Sequence, residues 1–172
     1  MKYNIIIYIL FAVLVIIQIS FLGNFSFFLL HFNLIIVGLV LLLNLLPFEK
    51  FLPVAIFSGV LMDVYSSLPF GIYASTILLT FVILEILFVN FFTNHSLYSI
   101  VLLGIIATVA YNLVFLAING LLYLINFSNY VAGWPYIMDS FLQIMDNAII
   151  LIICFYIINS ISRRFKPIFI KP

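Results

Sequence analysis

From Phe51 to Ser162 the chain contains no lysine or arginine. No water-soluble fold of this length can be built that way. An ordinary soluble domain carries about 25% charged residues, whereas this chain of 172 residues carries 6% and is 67% hydrophobic. Burial does not remove the shortage. A domain of about this size still exposes roughly 30% of the surface its unfolded chain presents, and that shell needs polar groups. A soluble enzyme and a disordered regulator are therefore excluded. A single cysteine, Cys154, excludes a secreted disulfide scaffold. A formal net charge of +1 supplies no basic field for nucleic acid. The composition predicts an all-α, polytopic integral membrane protein whose first partner is the lipid bilayer, with no cofactor.

A hydrocarbon core about 30 Å thick takes about 20 apolar residues per helix, so six crossings use about 120 residues and leave only loops and ends. Interruptions in the apolar runs place the spans at 3–22, 27–46, 51–65, 71–92, 97–125 and 136–158, followed by a basic tail over 159–172. The fifth is longer than a bilayer needs, which predicts a tilt or a break near Asn119-Gly120. All prolines are expected in loops, first helical turns or the tail, with none inside a helix. Lys2, Lys50, Arg163, Arg164, Lys166 and Lys171 are the only Lys/Arg residues. Six spans gather them on one side, which the positive-inside rule makes cytoplasmic, so both termini are expected there. The first apolar run exceeds a signal-peptide h-region and lacks a small-x-small cleavage site, so it is read as a retained helix.

In so apolar a chain, each polar group within the membrane carries information. Ala55, Gly59 and Asp63 recur every fourth residue, giving the third helix a small, small, acidic face suited to close helix approach. Gly104, Thr108 and Asn112 repeat that spacing, and Asp139, Gln143, Asp146 and Asn147 share a face of the sixth helix. By depth, Gln18, His31, Asn119, Gln143 and Asp63 fall in the outer half, with Asn112 and Asp146 nearer the middle. Two readings stay open. These groups line a cavity opening outward, or they satisfy one another in interhelical hydrogen bonds worth about 0.6 kcal/mol each. Glu85 has no basic residue at its expected depth, so it either carries a proton or faces a partner subunit. His31 and His95 are expected near opposite faces, and Asp63 and Asp139 are the only acids at a shared level. No nucleophile, metal-ligand or phosphate-loop spacing occurs, so no catalytic and no metal-binding residues are assigned.

The segment from Ser58 to Gly71 contains Gly59, Asp63 and then Pro69-Phe70-Gly71. This pattern resembles the most recognisable stretch of the rod-shape-determining MreD family: a glycine, an aspartate, and a Pro-Leu/Phe-Gly turn opening the next helix. The resemblance implies an S-component-like helical bundle in the bacterial cytoplasmic membrane. It also implies a non-enzymatic role with MreC, and with MreB, RodA and a class B penicillin-binding protein in the wider peptidoglycan-synthesis complex. Homo-oligomerisation is left open. The family's fold relatives, the S-components of energy-coupling-factor vitamin transporters, give the alternative function. Their Ala-x-x-x-Ala docking patch on the first helix is missing here, since Ala12 is followed four residues later by Ile16. Physically, Pro69 cannot continue the third helix and Gly71 permits a sharp entry into the fourth. Asp63, close to a helix C-terminus where an anion is disfavoured, needs an offset. A backbone N–H of the fourth helix, a hydroxyl of Ser66 or Ser67, or a partner could supply it.

Overall fold

The computed structural model describes residues 2–21, 31–44, 47–91, 96–126 and 133–164. Over these residues every regular element is helical: α1 (Lys2–Ile16) running into a π-helical turn (Ile17–Phe21), α2 (Leu34–Leu43), α3 (Phe48–Tyr65), α4 (Ile72–Phe91), α5 (Leu97–Leu124) and α6 (Trp134–Arg164). Helices α3, α4, α5 and α6 pack in chain order, each against the next, and α1 lies on α3. The short α2 touches α1, α3, α5 and α6. It can sit centrally because it is apolar all round, as a fully enclosed helix must be. Ile35, Ile36, Val37, Leu39, Val40 and Leu43 are all buried.

Polarity is distributed the wrong way round for water. His31, Asn33, Ser58, Asp63, Thr76, Thr108, Asn119 and Asn147 are buried, while Ile137, Phe141, Met145, Ile149 and Ile153 stand at least half exposed along α6. Those five recur every fourth residue and form one continuous apolar face. A surface of that kind is stable against hydrocarbon or another apolar surface, not against water. Among the described residues, three helices are long and apolar enough to cross a membrane: Ile72–Phe91, Leu97–Leu124 and Trp134–Ser160.

Several sequence expectations change. The expected second span, 27–46, contains a helix of only ten residues among the described ones, about 15 Å of rise or half a hydrocarbon core. Asn33 is the reason. Its side chain accepts from the Ile36 N–H and caps the helix there, leaving residues 31–33 non-helical. Helix α3 starts three residues before the expected span 51–65 and carries Pro53 inside it, contrary to the expectation of no interior proline. Pro53 comes just after the first turn, so only a bond to the Glu49 carbonyl is forgone, next to the charged Glu49-Lys50 end. Helix α5 passes through Asn119-Gly120 unbroken, with the Asn119 amide donating to Phe115 O within its own helix. Helix α6 extends beyond 136–158 in both directions.

Candidate functional site

The best-defined polar centre joins α3 to α4. Asp63 lies in the last turn of α3 and is only 3% exposed. Its Oδ1 accepts from Tyr73 N at 2.8 Å and its Oδ2 from Ala74 N at 2.9 Å. Both donors belong to the first turn of α4, where no carbonyl within the helix can reach them. An anion there also meets the favourable end of the α4 dipole, which offsets its unfavourable place at the end of α3. Of the offsets the sequence left open, the backbone N–H groups of the fourth helix take the carboxylate. The Ser66 hydroxyl instead donates to Asp63 O, and Ser66 N does the same, ending α3.

Gly59, one turn earlier, lets the two helices meet. A Cβ added there would sit 2.7 Å from Ala74 Cα and 3.3 Å from Tyr73 O, backbone atoms that cannot swing aside. Gly71 supplies the sharp entry into α4 expected of it, but not a close approach of the two backbones. An added Cβ would meet nothing within 4 Å, but φ is +101°, a conformation that L side chains rarely adopt. The requirement at Gly71 is therefore backbone conformation and not close approach. Gly71→Ala should consequently lose about 1–3 kcal/mol, and Gly71→Val more, because a β-branched side chain tolerates positive φ least, measured as the denaturation midpoint of purified protein in detergent. An unchanged midpoint in Gly71→Ala would show that backbone conformation is not the constraint. Phe70 projects outward and is mostly exposed, while Pro69 is half-buried.

A second polar system ties the segment before α2 to α1, α5 and α6. The Gln18 amide grips the backbone from both sides: Nε2 donates to Phe32 O at 2.6 Å, and Oε1 accepts from Leu34 N at 2.8 Å. Asn33 N donates to Asn147 Oδ1 at 2.9 Å, and Asn147 Nδ2 donates to Thr108 Oγ1 at 3.1 Å. Nearby, Asn112 Nδ2 donates to Gln143 Oε1 at 2.8 Å, and the Tyr136 hydroxyl donates to Asn112 O at 2.8 Å. His31 Nε2 lies 3.2 Å from Asp139 Oδ1, the histidine buried and the aspartate 61% exposed. The expected outer-half residues Gln18, His31, Gln143 and Asp63 thus engage one another's helices or backbone, whereas the Asn119 amide donates within its own helix. None of them lines the cavity of about 250 Å³ at the end of the α3–α4 hairpin. Asn147→Leu should strip partners from Asn33 N and Thr108 together, costing about 1–3 kcal/mol. Thr108→Val should cost less, because it leaves the Asn33 bond in place; equal losses would contradict this network.

Two carboxylates stand apart. Asp146 lies within electrostatic reach of His31 but makes no hydrogen bond among the described residues. Glu85 likewise has no partner among them, but its isolation is smaller than its expected depth implied. The Phe51 and Phe81 rings meet at 3.7 Å, which sets the hairpin register. Lys50 therefore lies within about 6 Å of the level of Glu85 along the helix axis, though the two form no ion pair among the described residues. His95 lies outside the described residues, as do residues 165–172 of the basic tail. Among the described residues, no three of His, Cys, Asp or Glu gather as a metal would require.

Sequence reasoning placed Asn147 and Thr108 on polar helix faces but gave no hydrogen-bonding role to Asn33 or Tyr136. Asn33 had a readable signal, a capping residue immediately before the apolar run Leu34-Ile35-Ile36-Val37. Tyr136 had none, since its carbonyl partner lies on another helix.

Apolar outside, polar within and crossed by at least three membrane-length helices, this is a helical, multi-pass membrane protein. Comparison with protein-family models, with curated proteins and with solved structures gives no match to the chain.

Proposed function

We propose that this chain is a non-enzymatic membrane subunit of the bacterial cell-elongation machinery, of the kind the MreD family provides, acting by binding and scaffolding. Its expected partner is MreC, with MreB, RodA and a class B penicillin-binding protein in the wider complex that guides peptidoglycan synthesis. The observation that supports this reading is the joint action of Gly59, Asp63 and Gly71. These positions carry the family resemblance, and together they close the α3–α4 hairpin. The polar side chains of the second system act as ties between helices, which suits a scaffold. Depletion from a rod-shaped host should give rounded cells. A growth defect cured by a vitamin supplement would instead favour a transporter S-component and overturn the proposal.

In this reading the chain crosses the cytoplasmic membrane six times with both termini inside, the second crossing being the 27–46 segment that contains α2. The support is that six crossings place every Lys/Arg on one side. Cysteines substituted at Lys2 and Lys171 should both resist an impermeant maleimide in intact cells and react after permeabilisation. Labelling of either position from outside contradicts this topology.

A further inference from the structure

We propose that the turn end of the α3–α4 hairpin carries a binding site for a neutral polyhydroxylated group, a sugar or polyol head. A cavity of about 250 Å³ opens there, between Ile19 of the π-helical turn, the last turn of α3, the loop through Leu68, and Tyr73 of α4. This volume lies below the roughly 300–1,000 Å³ of pockets for drug-sized ligands, so it takes a head group and not an extended molecule. Tyr65, Ser67 and Tyr73 line it, and none of their hydroxyls has a hydrogen-bond partner among the described residues. Ser66 lines it too, but its hydroxyl is already held by Asp63 O.

Charge decides against an ion. Neither lysine nor arginine lines the cavity among the described residues. Among the described residues the nearby charge is Asp63, which would repel an anion, and its two oxygens are already committed to Tyr73 N and Ala74 N. Free hydroxyls each donate one hydrogen bond and accept two. Their complement is a group that both donates and accepts without charge, namely the hydroxyls of a sugar or polyol. Phosphate and carboxylate, being acceptors only, would use the donors and leave the acceptors idle. Ile19, Met62 and Leu68 supply apolar wall for the C–H face of a sugar or for the glycerol backbone beneath a lipid head. Tyr73 is held in place from behind by its ring contact with Phe115 at 5.6 Å.

The same chemistry could arrive on a glycolipid or as free sugar, and the test separates them. Full-length protein in detergent is mixed with monoglucosyl-diacylglycerol, phosphatidylcholine or phosphatidylserine, and lipid retention is read by native mass spectrometry. Methyl glucoside is titrated in parallel by calorimetry. The triple variant Tyr65→Phe/Ser67→Ala/Tyr73→Phe removes the three free hydroxyls and keeps the rings. Its denaturation midpoint should match that of the wild type, since those hydroxyls hold nothing together. The wild type should retain the glucolipid about tenfold better than either phospholipid, and the triple variant should lose that preference. Glucoside binding that the triple variant abolishes would support the site with a soluble sugar as its source. Equal retention of all three lipids, or a glucolipid preference unchanged in the triple variant, overturns the proposal. Binding is measured in detergent and needs neither the elongation role nor the six-span topology, so its failure leaves both standing.

Discussion

Gly59→Leu is expected to prevent accumulation of the folded protein. The added Cβ alone would come within 2.7 Å of Ala74 Cα, so the helices must separate before any further atom of the side chain is placed. Even Gly59→Ala should cost about 1–3 kcal/mol, the usual cost of overpacking. For leucine the separation also pulls Asp63 away from Tyr73 N and Ala74 N, raising the loss to about 4 kcal/mol or more against a total stability of about 5–15 kcal/mol. Gly104 provides the control. A Cβ there would meet only the tip of the Leu151 side chain, which can rotate aside, so Gly104→Ala should be milder than Gly59→Ala. Detergent-solubilised yield and denaturation midpoint report both effects. Equal losses at the two glycines would refute the backbone-contact account.

Asp63→Ala carries the other large effect. It leaves two buried N–H groups without acceptors in a setting with little water, and each charge-assisted bond of this kind contributes about 1.5–3 kcal/mol. The expected loss is about 3–5 kcal/mol, with fraying of the first turn of α4 visible as faster amide exchange at Tyr73 and Ala74. Asp63→Asn is instructive because its amide keeps one acceptor oxygen but turns an NH₂ toward the second backbone N–H. A donor then faces a donor, and about half the loss should remain. Gly59→Ala and Asp63→Ala both act on the same α3–α4 contact, so combining them should cost less than the sum of the two. Additive losses would mean that the two positions act separately. Since the carboxylate is buried and occupied, a loss of partner binding in Asp63→Asn should follow the loss of fold. Normal protein level with complex formation abolished would instead place Asp63 at an interface.

How much of this could be read in the sequence depended on the range of the interaction. The absence of Lys and Arg from Phe51 to Ser162 was enough for the membrane class. The Gly59, Asp63, Pro69-Phe70-Gly71 cluster foretold a tight hairpin because its residues are close in the chain and governed by turn and helix-end chemistry. The break before α2 carried a local signal in Asn33, but an apolar run of the right length hid it. Hydropathy also hid the start of α3, because Pro53 and the Glu49-Lys50 pair look like a boundary and are in fact helical. The meeting of His31 with Asp139, 108 residues apart, and the grip of Gln18 on the backbone of Phe32 and Leu34 depend on how the helices are arranged. Spacing along one helix fixes a face and says nothing of what that face meets.

The central claim, that this hairpin-locked bundle serves the elongation machinery as a scaffold, is tested most directly by its company in the membrane. The tagged full-length protein should be purified from native membranes in mild detergent, and its co-purifying proteins quantified by mass spectrometry. MreC should be recovered in near-equal amount from the wild type. Recovery of an energy-coupling transport module in place of MreC would contradict the account.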